Sequence, residues 1–187
     1  MIRMAIKKMT DWLVANGAID EEETDLYEYA IYSFVFLVAP FALTLIFGVC
    51  MGVTLQALVM VTPFVIIRKY SGGYHAGSLR ICVICSCMLL LIFTSVLKYA
   101  KSALLIDFVS LISGIIIMFL SPVDSENKKL ALSDKNKYKK ISMILVVITW
   151  LMCILMKLIQ LEEYEMALGM GLTLTAVLMI PCLFVDK

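Results

Sequence analysis

The sequence predicts an all-α polytopic membrane protein with about six transmembrane helices plus an N-terminal amphipathic interfacial helix. The first reason is composition, because 62% of the 187 residues are hydrophobic, against roughly 45–50% in a soluble domain. The second is the clustering of charges, which leaves uncharged runs at residues 29–67, 81–97, 108–123, 141–156 and 166–185. Since about 20 apolar residues cross a bilayer, the first run is long enough for two helices and each later run for about one.

Residues 1–17 predict the interfacial helix. Apolar side chains recur there at helical spacing, at Ile2, Ala5, Ile6, Met9, Trp12 and Leu13. The stretch has no uninterrupted apolar core of the kind found in a cleaved signal peptide, so it fits a helix that lies on the inner leaflet in contact with membrane lipids. Asn16-Gly17 would end this helix, and Asp20 with Glu23 has the spacing of a capping box for the next one.

The first uncharged run needs a turn near its middle. Gly48 and Gly52 supply one, which divides the run into helices at about 29–47 and 53–67. Pro63 lies near the end of the second piece and is expected to distort it, so both a full pass and a partial or re-entrant pass stay open.

The positions of lysine and arginine predict the orientation, because loops facing the cytoplasm are enriched in both. With six passes and an inside N-terminus, only Lys98, Lys101 and Lys157 lie on the outer side. The inner side then holds thirteen basic residues: Arg3, Lys7, Lys8, Arg68, Lys69, Arg80, Lys128, Lys129, Lys135, Lys137, Lys139, Lys140 and Lys187. Both termini are therefore expected in the cytoplasm, and the net charge of +1 gives no reason to expect nucleic-acid binding.

Residues 1–187 are predicted to form a single integral-membrane domain with two cytoplasmic loops. The glycine-rich segment 68–80 is the candidate catalytic loop, and 124–140 is a lysine-rich basic loop. A membrane-topology signal in contact with lipid headgroups is the first interpretation of those lysines.

The stretch GGYHAGSLRIC, residues 72–82, places the only histidine of the chain, His75, seven residues before Cys82. In one continuous helix the two side chains would be about 10.5 Å apart along the axis. The glycines favour a loop that folds back, so that His75 lies over the first turn of the helix that carries Cys82.

That placement favours a reactive thiol. A helix N-terminus, Arg80 and a protonated His75 would all lower the pKa of the Cys82 thiol, whereas Cys85 and Cys87 lie deeper in apolar surroundings and are expected to be inert. A thiolate and an imidazole can carry out acyl transfer, in which the thiolate attacks a peptide carbonyl and the imidazolium protonates the departing amine.

Other chemistries fit the motif less well. One histidine with a buried C-x-x-C-x-C run does not match a tetrahedral zinc pattern, so no metal or cofactor is expected. A membrane thiol oxidoreductase using Cys82 and Cys85 stays open, although the predicted cytoplasmic side opposes net disulfide formation. A non-catalytic scaffold or transporter also stays open, but no charged residue lies at mid-membrane to mark a solute path.

The segment RKYSGGYHAGSLRIC resembles the signature of the accessory gene regulator B (AgrB) family of bacterial membrane endopeptidases, which process the precursor of a cyclic quorum-sensing peptide. The matching positions are Arg68-Lys69, Gly72-Gly73, His75-Ala76 and Cys82. The resemblance extends to the chain length, the amphipathic N-terminus, the membrane passes and the basic loop that follows Pro122. It implies a location in the bacterial cell membrane.

The resemblance also implies a two-step mechanism and a partner. Cys82 would cleave a short amphipathic propeptide (AgrD-like) and keep its N-terminal part as a thioester, with His75 as base and acid. A cysteine or serine within the bound peptide would then close a thiolactone or lactone ring. The family pattern and the neighbouring charges add candidates for binding the substrate or shaping the site, at Arg68, Lys69, Gly72, Gly73, Ser78 and Arg80. Assembly as a homo-oligomer stays open.

Overall fold

The computed structural model describes residues 2–72, 79–100, 102–123 and 132–181, and throughout these ranges the regular structure is helical. The helices are α1 Ile2–Ala15, α2 Thr24–Met51, α3 Thr54–Ser71, α4 Leu79–Tyr99, α5 Ala103–Leu120, α6 Leu132–Leu158 and α7 Glu162–Met179, with a 3-10 turn at Glu21–Glu23. The prediction of an all-α chain is confirmed. Contacts divide the chain into two compact units, residues 1–42 and 43–187.

Each predicted membrane pass overlaps one helix of the series α2 to α7. Within the described residues, three helical stretches are long and apolar enough to cross a bilayer, namely Glu21–Met51, Ala103–Leu120 and Asp134–Leu158. Helix α4 adds a shorter apolar stretch, Val83–Tyr99. The chain is therefore a membrane protein, and the count of six spans stays a prediction.

In the first unit, α1 ends as predicted. The Asn16 N–H donates to the Trp12 carbonyl, and Gly17 follows with φ 65°. Met9 and Trp12 are exposed on the surface of α1, whereas Ile6 is buried. Large apolar side chains thus project from this helix, as the predicted amphipathic pattern requires.

The predicted capping box at Asp20 and Glu23 is wrong. The Asp20 side chain makes no capping hydrogen bond. Its carbonyl instead accepts from the Glu23 N–H at 3.0 Å, so the chain forms a 3-10 turn before α2 begins at Thr24. The Glu23 N–H, which was expected to donate to the Asp20 side chain, thus donates to the Asp20 main-chain carbonyl.

The predicted turn between the first two passes is confirmed. Helix α2 ends at Met51, Gly52 has φ 75°, and the Val53 N–H donates to the Gly48 carbonyl at 2.9 Å. Helix α3 then continues through Pro63, whose side chain is buried, without a break in its helical assignment. A proline inside a helix removes one backbone donor, and packing against neighbouring helices offsets that loss.

In the second unit, α7 lies at the centre and contacts α3, α4, α5 and α6. Two glycines permit these close approaches, as small residues commonly do between membrane helices. Gly171 lies against Met60 and Pro63 of α3, and Gly169 lies against Ser110 of α5. A buried core joins four of the helices and contains Ile67, Ile117, Val146, Leu172, Ala176 and Met179.

Side-chain contacts at the two ends of this unit fix the helix directions. Near one end, Lys157 at the end of α6 contacts Asp107 near the start of α5 and Glu165 near the start of α7. Near the other end, Tyr70 in the last turn of α3 packs against Tyr138 in the first part of α6. Helix α6 therefore runs antiparallel to α3, α5 and α7, which agrees with the predicted alternation of passes.

Candidate functional site

The structure describes part of the predicted site. Arg68 and Lys69 lie in the last turn of α3, and the backbone of Arg80 and Cys82 lies in the first turn of α4. His75, Gly73 and Ser78 lie outside the described residues, as do the side chains of Arg80 and Cys82. The pairing of His75 with Cys82 therefore stays a prediction.

Gly72 forms the exit from α3. Its N–H donates to the Arg68 carbonyl at 3.1 Å, and its backbone has φ 76° and ψ −159°, a region essentially restricted to glycine. The first four residues of the predicted loop 68–80 are thus helical, and the chain leaves the helix at Gly72. A glycine is needed at this position for backbone geometry alone.

The segment after α5 lies directly against this exit. The Val123 N–H donates to the Ser71 carbonyl at 2.9 Å. A Cβ added at Gly72 would overlap the Val123 carbonyl oxygen. We call this contact of Ser71, Gly72 and Val123 the α3–α5 junction. Sequence reasoning missed it, since only the glycine and the nearby Pro122 mark the two segments as turns.

Ser71 and Ser121 are both buried beside the junction. Ser71 is 0% exposed, and its hydroxyl donates to the Gly72 carbonyl at 3.3 Å. The Ser121 hydroxyl is also buried and has no hydrogen-bond partner among the described residues. The backbone that leads into the candidate catalytic segment thus starts from a buried position.

Basic and aromatic side chains surround this end of the unit. The Arg68 guanidinium lies 5.6 Å from the centre of the Phe64 ring, and the Lys69 ammonium lies 5.8 Å from that of Tyr70. The Tyr70 and Tyr138 rings meet edge to face with centres 5.9 Å apart. These contacts bring the basic end of α3 next to the start of α6.

Part of the predicted basic loop 124–140 is helical. Residues 132–140 form the first turns of α6, whereas 124–131 lie outside the described residues. Lys137, Lys139 and Lys140 are exposed on those turns. Exposed cations therefore lie near the exit of α3, at the end of the unit where Tyr138 meets Tyr70.

Cys82 is the fourth residue of α4. The first N–H groups of a helix have no partner inside the helix, and the aligned peptide dipoles favour a negative charge at this end. Cys85 follows three residues later, is exposed, and forms no disulfide. The structure thus confirms that Cys82 lies in a first helical turn, while the expected inertness of Cys85 stays a prediction.

Three charged side chains, which we call the ion group, form ion pairs at the opposite end of the second unit. The Lys157 ammonium contacts Asp107 at 2.5 Å and Glu165 at 3.3 Å, and the Glu165 side chain is only 4% exposed. A hydrogen bond of 2.6 Å between Gln56 and Glu163 joins α3 to α7 nearby. The charge pattern predicts Lys157 on the outer side but does not predict its pairing with Asp107 and Glu165. Within the described residues, no cluster of three His, Cys, Asp or Glu side chains is arranged to hold a metal ion.

Comparisons with known proteins agree with the motif. A family model described as accessory gene regulator B matches residues 6–180. AgrB-like protein 2 of Clostridium perfringens (strain 13) is 26% identical over 148 residues, which cover 75% of this chain and 69% of that protein. An AgrB-like protein of Clostridium perfringens (strain SM101) has the same identity over the same lengths.

No solved structure matches the chain. The family match nevertheless extends over nearly the whole sequence and covers most of α1 and all of α2 to α7, including the segment that contains His75 and Cys82. The chain therefore belongs to the accessory gene regulator B family, a family of membrane proteins associated with the processing of quorum-sensing peptides.

Proposed function

We propose that the protein is a membrane cysteine endopeptidase that cleaves a quorum-sensing propeptide and transfers the retained acyl group to a residue within the peptide. The observation that carries the proposal is the position of Cys82 in the first turn of α4, directly after the segment that contains the only histidine. Membership of the AgrB family supports it, because that family is associated with peptide processing.

In the first step, the Cys82 thiolate attacks the peptide bond that joins the quorum-sensing part of the propeptide to its C-terminal piece. The attack is on the carbonyl carbon of that bond. The helix N-terminus favours the thiolate, and the N–H groups of the first turn would stabilise the oxyanion. His75 then donates its proton to the departing amine. The C-terminal piece leaves, and the N-terminal part stays bound to Cys82 as a thioester.

In the second step, a cysteine thiol or serine hydroxyl of the bound peptide attacks this thioester. His75 accepts the proton, the ring closes as a thiolactone or a lactone, and Cys82 is released. Water must be kept away, because hydrolysis would release a linear peptide instead. Val83 and Ile84, which follow Cys82, are apolar and exposed, so the membrane boundary would begin immediately beside the nucleophile.

The substrate we propose is a short amphipathic propeptide with an acidic C-terminal tail. The exposed cations Lys69, Lys137, Lys139 and Lys140 support this substrate class, because a basic surface attracts an acidic peptide. The same lysines also fit the rule for cytoplasmic loops, which would place this end of the unit in the cytoplasm.

Reversing two of these charges distinguishes a role in attracting the propeptide from a role in membrane topology. In Lys137→Glu combined with Lys139→Glu, we expect slower processing of the acidic propeptide while the protein still inserts with the same topology. The effect should weaken as ionic strength rises, because salt screens exposed charges. Unchanged processing with correct insertion would leave the lysines with a topological role only.

The central experiment compares two cysteines on one helix. The protein is co-expressed with its propeptide, and mass spectrometry follows cleavage for the wild type, Cys82→Ala, Cys85→Ala and His75→Ala. We expect cleavage to disappear in the Cys82 and His75 variants and to persist in Cys85→Ala. Equal loss at Cys82 and Cys85 would favour a thiol oxidoreductase, and cleavage that survives in all variants would favour a scaffold or transporter.

A further inference from the structure

We propose that the α3–α5 junction positions the catalytic segment, and that Val123 is a positioning residue that acts through its backbone. This inference rests on the proposed function of His75 and Cys82. The junction fixes the backbone at Gly72 from two sides, by the bond from the Val123 N–H to Ser71 and by the contact of the Val123 carbonyl with Gly72 itself.

The chain immediately after the junction explains why this contact matters for chemistry. His75 is three residues beyond Gly72, and three extended residues span only about 10 Å. The direction in which the chain leaves Gly72 therefore limits where the imidazole can lie. A displacement of about 1 Å in reacting groups can lower a rate by about 100-fold, so a shift at the exit would reach the reaction.

Packing and a buried hydrogen bond hold the junction in place. Val123 packs against the buried core that contains Ile67 of α3 and Ile117 of α5, which are 1% and 0% exposed. Ser71 is fully buried, and a buried carbonyl without a partner is unfavourable, so its bond with the Val123 N–H is expected to persist. These contacts couple the junction to the ends of both helices.

Two substitutions at residue 123 test the backbone bond. Val123→Pro removes the N–H donor, whereas Val123→Ala keeps the donor and trims only the side chain. We expect kcat for propeptide cleavage to fall about 10- to 100-fold in Val123→Pro, with KM close to that of the wild type, because the reacting groups are misplaced but substrate binding is not. Val123→Ala loses packing on the core but keeps the donor, so its kcat should fall less than that of Val123→Pro and its alkylation profile should not move.

A second readout separates positioning from general destabilisation. The rate of Cys82 alkylation by a small haloacetamide, followed by mass spectrometry as a function of pH, reports the thiolate fraction. In Val123→Pro the profile should move to higher pH, toward that of His75→Ala, because the proposed pairing of the imidazole with the thiol would be weakened. A structural defect alone would change the yield of folded protein without moving the profile.

Two glycines give an independent comparison. Gly72 and Gly52 both have positive φ, 76° and 75°, so alanine is strained at either position, and ψ of −159° adds to the strain at Gly72. An added Cβ meets nothing within 4 Å at Gly52 but overlaps the Val123 carbonyl at Gly72. We expect Gly72→Ala to lose cleavage and shift the alkylation profile, and Gly52→Ala to retain both.

The outcomes distinguish the junction from the proposed function. If the wild type cleaves in a Cys82-dependent manner while Val123→Pro and Gly72→Ala match their controls in kcat and in alkylation profile, the junction has no positioning role. If the wild type does not cleave, or Cys82→Ala cleaves equally well, the peptidase proposal itself fails. A fall in kcat with a shifted profile in both variants, and in neither control, supports the junction.

Discussion

Replacing Gly171 by alanine should loosen the contact between α7 and α3. The added Cβ would lie 2.6 Å from Pro63 Cγ and still closer to the Met60 carbonyl oxygen. Carbon atoms pack best at about 3.5–4.0 Å, so both contacts are well inside the repulsive range. Neither neighbour can rotate away, because one is a proline ring and the other is main chain. The helices must separate, at a cost of about 1–3 kcal/mol, which is typical of overpacked cores.

Gly169→Ala is the matched control on the same helix. Its Cβ would meet Ser110 Cβ at 3.0 Å and Ser110 Oγ at 3.1 Å, distances that a shift of a few tenths of an ångström relieves. Thermal unfolding in a mild detergent should therefore give the order wild type, Gly169→Ala, Gly171→Ala, with the last at least about 2 °C below the wild type. An unchanged midpoint for Gly171→Ala would refute the close packing of α7 against α3.

Three further predictions concern other contacts. Lys157→Met should lower the unfolding temperature more than Glu165→Gln. Removing the ammonium leaves the buried Glu165 carboxyl without its counter-charge, whereas glutamine keeps the shape of the glutamate side chain. The reverse order would contradict a buried charge at Glu165. Gly114→Ala should also destabilise the protein, since its Cβ would lie 2.7 Å from Trp150 Cε2, and a midpoint equal to that of the wild type would contradict this contact. In a Trp150→Phe background, lipids brominated near the headgroup should quench the fluorescence of Trp12, because the exposed Trp12 ring is expected at the membrane interface. Absence of quenching would show that α1 does not lie at the interface.

Local signals in the sequence predicted the turns that end α1 and α2. Gly17 and Gly52 end α1 and α2 with positive φ, as expected from residues that tolerate this backbone without strain. The uncharged runs predicted the helices because a charged side chain is costly inside a bilayer. The predicted capping box is wrong although Asp20 has the right spacing for a cap. Spacing alone does not decide whether the side chain or the main-chain carbonyl of Asp20 accepts the hydrogen bond.

Contacts between distant residues could not be predicted in the same way. The α3–α5 junction joins Ser71 to Val123, and the ion group joins Asp107 to Lys157. Each residue lies near a segment end that the charge pattern does reveal, but the pairing depends on which helices are neighbours. The charge pattern also treats all passes alike, although α7 is surrounded by protein and can therefore carry glycines and threonines where a lipid-facing helix would carry larger apolar residues.

The central position of α7 has a consequence for biosynthesis. Helices α3, α5 and α6 emerge from the ribosome before α7, yet three of the six residues in the core beneath the junction, Leu172, Ala176 and Met179, belong to α7. A nascent chain that ends before this helix would contain His75, Cys82 and the basic segment, but not the core on which Val123 packs. The core on which Val123 packs is thus complete only after the helix synthesised last among those described has entered the bundle.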